Sequence, residues 1–360
     1  MREGTMKALK LHGVGDLRYE DVPIPEPGKG EVLLRIRAVG ICGSDIPRVF
    51  TKGTYHFPTI IGHEFAGEIV EAEEASLIGR GASVFPLLPC GKCGACLGEH
   101  YAQCSHYDYY GSRRDGAMAE YLAVRRENLC FVPEGVSYEE AAMSEPAAVA
   151  FHAFRKSGAG VGDTVLIYGI GTIGLMAAQW ARAAGARNIV LVGRTDDKVG
   201  FAKKLGFPLA VNGKGESPEK LVQKVTAGRG ADACIEGTGA SEPWEACIRC
   251  ARNYGTVVSM GNPLGEMRLS QDGYWKILRK ELRIVGTWNS DFGSVENDWR
   301  EAVSAMRDGR LELEPLITHR FPLEEYGKAF RLMRERREMY CKVMFVAGVK
   351  KGSEVVDSMR

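Results

Sequence analysis

Val165-Leu166-Ile167-Tyr168-Gly169-Ile170-Gly171-Thr172-Ile173-Gly174 is the stretch on which the reading of this chain turns. Four residues of strand character run straight into G-x-G-x-x-G, and a helix-forming run, Leu175 to Ala184, follows. A bare glycine fingerprint is weak in a chain with 44 glycines. A strand before it and a helix after it are the context of a dinucleotide-binding turn. Gly169 permits the tight turn, Gly171 lets the backbone approach a pyrophosphate, and Gly174 lets the helix close onto the strand. The helix start at Thr172 and Ile173 offers amide donors and a positive dipole end to phosphates. The plainer alternative is a glycine-rich turn without a ligand, which the surrounding pattern disfavours.

That pattern extends outward. A helix over Ala147 to Lys156 precedes the turn, and strands follow at Asn188–Val192, Ala233–Glu236, Gly255–Met260 and Leu282–Val285. Strands alternating with helices predict a parallel α/β sheet over 151–289. Residues 1–150 differ: they are rich in Gly and Pro, with short strand-like runs such as Val32–Val39 and Ala66–Val70. Such punctuation favours a mostly-β, barrel-like unit. Beyond Asn289 shorter, mixed elements return, so 290–360 is expected to complete that unit. The fold class is therefore α/β: a Rossmann-type domain inserted in a mostly-β catalytic domain. The end, Lys350-Lys351-Gly352-Ser353-Glu354, reads as a frayed, solvated tail.

The end of the second strand bears on cofactor choice. An NAD site commonly has an acid about 20 residues past the glycines, to bind the ribose hydroxyls. This chain has Val190-Leu191-Val192-Gly193-Arg194-Thr195, with Gly193 where the acid is expected and Arg194 after it. Loss of the carboxylate removes repulsion of a 2′-phosphate, and a guanidinium can bind one. NADP is favoured, and NAD remains possible if Asp196 or Asp197 takes the acidic role. Thr238 and Gly261, just past two later strands, complete the expected cofactor-binding set.

Composition excludes several classes of function. With 360 residues and a formal net charge of +1, there is room for two cores and no global field favouring nucleic acid or membrane. Met1-Arg2-Glu3-Gly4 has charge but no apolar stretch behind it, and no run is long enough to span a bilayer. The expectation is a cytoplasmic protein whose ten cysteines are thiols or metal ligands.

Two constellations suggest metal. Cys90, Cys93, Cys96 and Cys104 give C-x2-C-x2-C-x7-C in a glycine-rich loop. Four thiolates on one loop suit a closed tetrahedral zinc; an iron–sulfur cluster is the less favoured alternative. The second set is dispersed: Cys42 in Gly-Ile-Cys-Gly-Ser-Asp, His63 and Glu64 in Gly-His-Glu, and Glu145 in Ser-Glu-Pro. A thiolate, an imidazole and a carboxylate can hold zinc and leave a position for substrate. Singly, each has a bland reading as a core thiol, a turn histidine or a helix-start acid. Their company with a dinucleotide turn favours the metal.

Gly62-His63-Glu64-Phe65-Ala66-Gly67, the four-cysteine loop and the later glycine turn resemble the zinc-containing medium-chain dehydrogenases, essentially end to end. The resemblance implies a GroES-like catalytic domain, two zinc ions per chain (one catalytic, one structural), and dimers or tetramers. Glu145 in Glu-Pro-Ala resembles the polyol branch, and whether Glu64 or Glu145 ligates directly stays open. Cys42–Phe50, Gly111-Ser112-Arg113-Arg114-Asp115-Gly116 and Lys276–Leu282 are similar to the dehydrogenases of galactitol 1-phosphate. That implies oxidation of galactitol 1-phosphate to tagatose 6-phosphate, although those enzymes usually have Asp where Gly193 stands. Ser44 resembles the family's relay hydroxyl. Arg113 and Arg114 could clamp a substrate phosphate, with Arg48 and Lys52 adding to the field; a solvated charged turn is the alternative. Other enzymatic readings are oxidation of sorbitol or threonine. A non-catalytic nucleotide sensor is the reading from a different class.

Overall fold

The computed structural model describes residues 4–215, 217–263 and 265–352, with the backbone of Val355–Val356. Met1–Glu3 and, in the expected frayed tail, Ser353 and Glu354 lie outside the described residues. The chain divides into two compact units: Met1–Glu145 with Asp291–Arg360, and Pro146–Ser290. Among the described residues no helix is long and apolar enough to cross a membrane.

The second unit is built on a six-stranded parallel sheet. In sheet order its strands are Ala210–Asn212, Asn188–Gly193, Thr164–Tyr168, Ala231–Glu236, Ala251–Ser259 and Arg283–Gly286. The glycine-turn strand is central and flanked on both sides, which is why all five of its residues are buried. Its partners follow the doubly wound 3-2-1-4-5-6 order, placing nucleotide binding at the carboxyl ends beside that strand. Ala210–Asn212 has no counterpart among the expected strands, because three residues carry no readable period. The expected apolar strand at Leu282–Val285 is found as Arg283–Gly286 on the sheet edge, where Ile284 stays 39% exposed.

In the other unit, the largest sheet joins both ends of the chain. Glu31–Gly40 pairs with Glu64–Glu71, Tyr121–Arg125 and Lys342–Val346. Their alternating apolar residues, among them Leu34, Phe65, Ile69, Val343 and Phe345, fill one core. The register sets Gly40 opposite Glu64 on one side and Met344 on the other. The segments holding Cys42, His63 and Lys342 thereby end at the same edge.

Candidate active site

The first site grows from that edge. A Cβ at Gly40 would collide with the Glu64 side chain, so glycine there is what lets Glu64 turn inward. Ligand atoms of Cys42, His63 and Glu64 lie within 4.8 Å of one another. Asp45, fully buried, accepts the Cys42 amide at 2.9 Å and lies 3.6 Å from His63 Nδ1. Arg48 Nη1, 3.4 Å from the same Nδ1, completes the polar surround on that side and leaves Nε2 for a metal. Glu145 begins a helix, Ser144–Ser157, and accepts the Tyr109 hydroxyl at 3.5 Å. The Tyr109 ring packs edge-on to His63 at 5.8 Å. The Ser44 hydroxyl donates to Cys42 Sγ at 3.2 Å and accepts from Arg48 Nη1 at 3.0 Å.

Charge decides what this pocket can hold. Burial, then the carboxylates of Glu64, Asp45 and Glu145, push the Cys42 thiol up to about 12. Burial first, and Glu64 after it, push Glu145 up to about 7 against the pull of His63. The donor set is thus short of positive charge even with Lys342, which is buried and bonded to Glu64. A dication supplies that charge and favours the thiolate and carboxylate forms, so the residues fit zinc.

The second site is local. The sulfurs of Cys90, Cys93, Cys96 and Cys104 all lie within 4.8 Å, with Cys90–Cys96 at 3.8 Å and Cys93–Cys96 at 3.4 Å. A tetrahedron with Zn–S near 2.3 Å has edges of about 3.8 Å, so this spacing fits a closed zinc site. No other ligand type enters the set.

In the nucleotide-binding unit, Gly169 has φ +111° and a Cβ on Gly174 would strike the Gly169 carbonyl. Both glycines are demanded by the fold. Gly171 is not: its φ is −114° and nothing lies within 4 Å of its missing Cβ. The helix Thr172–Ala183 begins there with no side-chain cap at Gly171, so the positive end of its dipole can face an anion. Gly193 is crowded, since a Cβ would lie 3.0 Å from Ile170. Arg194 is exposed. Asp196 accepts Asn212 Nδ2 at 2.8 Å, so this acid already has a partner at the start of its helix. The Thr238 amide donates to buried Glu236 at 2.5 Å, and a Cβ on Gly261 would meet Glu236 and the Thr238 amide at 2.7 Å.

The expected phosphate clamp is split. Arg114 pairs with Asp108 at 2.9 Å, whereas the Arg113 guanidinium lies 4.0 Å from the Tyr55 ring centre and 4.5 Å from that of Tyr107. Arg48 is committed to Asp45 and Ser44, and Lys52 is exposed. Four residues escaped the sequence reading: Asp45, Tyr109, Lys342 and Glu236. A signal existed for Asp45, three residues after Cys42, and for Glu236, an acid closing an apolar strand. Lys342 had none.

Residues 172–308 match the zinc-binding dehydrogenase family and residues 28–134 the alcohol dehydrogenase GroES-like domain. Galactitol 1-phosphate 5-dehydrogenase of Escherichia coli is 34% identical over 332 residues, 91% of this chain and 96% of that one. A sorbitol dehydrogenase of Halalkalibacterium halodurans is 34% identical with the same coverage. The crystal structure of the E. coli galactitol-1-phosphate dehydrogenase superposes with a TM-score of 0.88 at 33% identity, covering 95% of this chain and all of that one. A zinc-binding dehydrogenase from Sinorhizobium meliloti bound to NADP gives 0.87 at 29% identity, with 96% and 100% coverage. The chain belongs to the zinc-dependent medium-chain dehydrogenases. Within them it is an oxidoreductase of the alcohol and polyol group.

Proposed function

We propose that this enzyme oxidises a secondary hydroxyl of a sugar alcohol, with galactitol 1-phosphate giving tagatose 6-phosphate as the preferred case, NADP as acceptor and two zinc ions per chain. Cys90, Cys93, Cys96 and Cys104 would hold the structural ion. Cys42 and His63 would hold the other with one carboxylate. Glu64 lies within 4.8 Å of both but is engaged by Lys342, whereas Glu145 lies outside that group and holds only the long Tyr109 contact, which leaves it freer to turn in. Bound there, zinc supplies Lewis acidity toward a substrate oxygen.

The chain's own residues do the rest. The Asp45–Arg48 pair orients the imidazole, and the Glu64–Lys342 pair closes the inner wall. Ser44, held by Arg48, can take the alcohol proton outward. Overall, a hydride leaves the carbinol carbon for the oxidised cofactor and a proton leaves the hydroxyl. Gly171 and the uncapped helix would take the pyrophosphate, with Thr172, Ile173, Thr238 and Gly261 around it. Arg194 beside side-chain-free Gly193 would take the 2′-phosphate.

The observation that carries this reading is the convergence of the Cys42 thiol, the His63 imidazole and the Glu64 carboxylate within 4.8 Å, in a charge-starved pocket that Glu145 also influences. A panel of galactitol 1-phosphate, galactitol, sorbitol and threonine, each with NADP and NAD, tests it. Turnover of the phosphorylated hexitol with NADP is expected to lead, and activity on none of them would end the proposal. Arg194→Ala should lower kcat/KM for NADP by about 10-fold to 100-fold and leave NAD nearly unaffected. Equal losses with both cofactors would reject the NADP assignment. Four of the ten cysteines placed at metal-ligand spacing support a reducing, cytoplasmic setting. Exposed Trp275, Leu278, Ile284 and Trp288 on and beside the unpaired edge strand support a second copy docking there. Ile284→Asp should then shift the sedimenting species to monomer.

A further inference from the structure

Resting on the phosphorylated sugar-alcohol reading above, we propose that Arg113 alone, clasped between Tyr55 and Tyr107, is the subsite for the substrate's terminal phosphate monoester. Two adjacent arginines look alike in sequence, but the loop that carries them gives them different duties. Gly111 and Gly116 both pack against the Gly62 backbone so closely that a Cβ on either would strike it. Asp115 accepts the Ile60 amide at 2.8 Å, and the Gly116 and Ala117 amides donate to Ile60 and Gly62 carbonyls at 2.7 and 2.9 Å. The loop is thereby fastened to the segment that ends in His63.

On that fixed base Arg114 turns to Asp108 and is neutralised. Arg113 has no carboxylate partner among the described residues. Its Nε is buried and makes no hydrogen bond. Native proteins rarely leave such a donor unmet, because the lost hydration is not repaid. Tyrosine rings cover the guanidinium, an arrangement favourable for a weakly hydrated cation. Its in-plane N–H groups remain the natural contact for a tetrahedral anion, which can accept two of them in parallel. His56 does not compete as a ligand: its ring nitrogens lie 2.9 Å from the Arg113 carbonyl oxygen and 3.1 Å from the Thr59 hydroxyl, pinning the loop.

The subsite is tied to the reacting centre through side chains in contact. Tyr107 meets Tyr109 edge-on at 6.3 Å, and Tyr109 reaches His63 and Glu145. A polyol whose hydroxyl lies at Cys42 and His63 would present its far end toward this aromatic wall.

Calorimetric titration with galactitol 1-phosphate tests binding without turnover, and kinetics supply the ratio of kcat/KM for galactitol 1-phosphate over galactitol. Arg113→Ala is expected to weaken phosphate-ester binding and lower that ratio on the order of 100-fold, and Arg113→Lys about 10-fold, since an ammonium lacks the planar fork. Arg114→Ala should change both substrates alike. An unchanged titration, or a ratio that stays constant in the Arg113 variants, overturns the proposal. So does a sugar acid such as L-idonate binding through Arg113 as tightly as the phosphate ester. If the parent binds the phosphate ester through Arg113 but turns over no polyol, the functional reading fails while the subsite stands.

Discussion

The two cysteine clusters of this chain are built in opposite ways. Around Cys90–Cys104, four identical donors come from fifteen consecutive residues, and the sulfurs already sit near tetrahedral spacing. Around Cys42, the donors are of three kinds, come from two separate segments, and sit where burial first and neighbouring carboxylates after it raise the thiol's pKa. A set of four thiolates saturates a tetrahedral ion and can only hold structure, whereas a mixed set of three leaves a position for chemistry. The difference teaches that locality marks the staple, while mixed donors and uncompensated charge mark the working site.

The comparison breaks if the two sites respond alike to loss of a ligand. Cys42→Ser and His63→Ala should each cut kcat/KM by about 1000-fold or more while leaving the thermal midpoint within a few degrees. Zinc content should drop by one per chain, which elemental analysis reads directly. Cys96→Ser should do the reverse, lowering the midpoint by roughly 5–10 °C through loss of the staple, with turnover of the surviving folded enzyme within a few-fold of the parent. Smaller but more pointed is Lys342→Met. It strands the buried Glu64 carboxylate, and stability should fall by about 3 kcal/mol in denaturant titration. Glu64→Gln placed on top of it should recover part of that loss, and no recovery would mean that the pair is not what Lys342 provides.

Legibility followed the same divide. The four-cysteine loop and the glycine turn are written in consecutive residues, so spacing alone finds them. The central strand of the parallel sheet was readable for the same reason, because Val165, Leu166 and Ile167 form a buried apolar run that leads into the glycine turn. Cys42, His63 and Glu64 could be named individually, but their meeting depends on strand register that no local pattern encodes. Lys342 shows the limit: its partner lies 278 residues away and is reached only because Met344 pairs with Gly40. Arg113 and Arg114 show another, since neighbouring identical residues diverge only once Asp108 captures one of them. The three-residue strand Ala210–Asn212 was invisible because it completes a sheet edge rather than a periodic pattern.

Zinc-edge X-ray absorption on the Cys96→Ser variant, with its staple ion removed, isolates the remaining metal. The account predicts one zinc per chain with a single sulfur near about 2.3 Å and two or more nitrogen or oxygen neighbours near about 2.0–2.1 Å. A protein left without zinc, or one whose remaining zinc is ringed by sulfur, would contradict it.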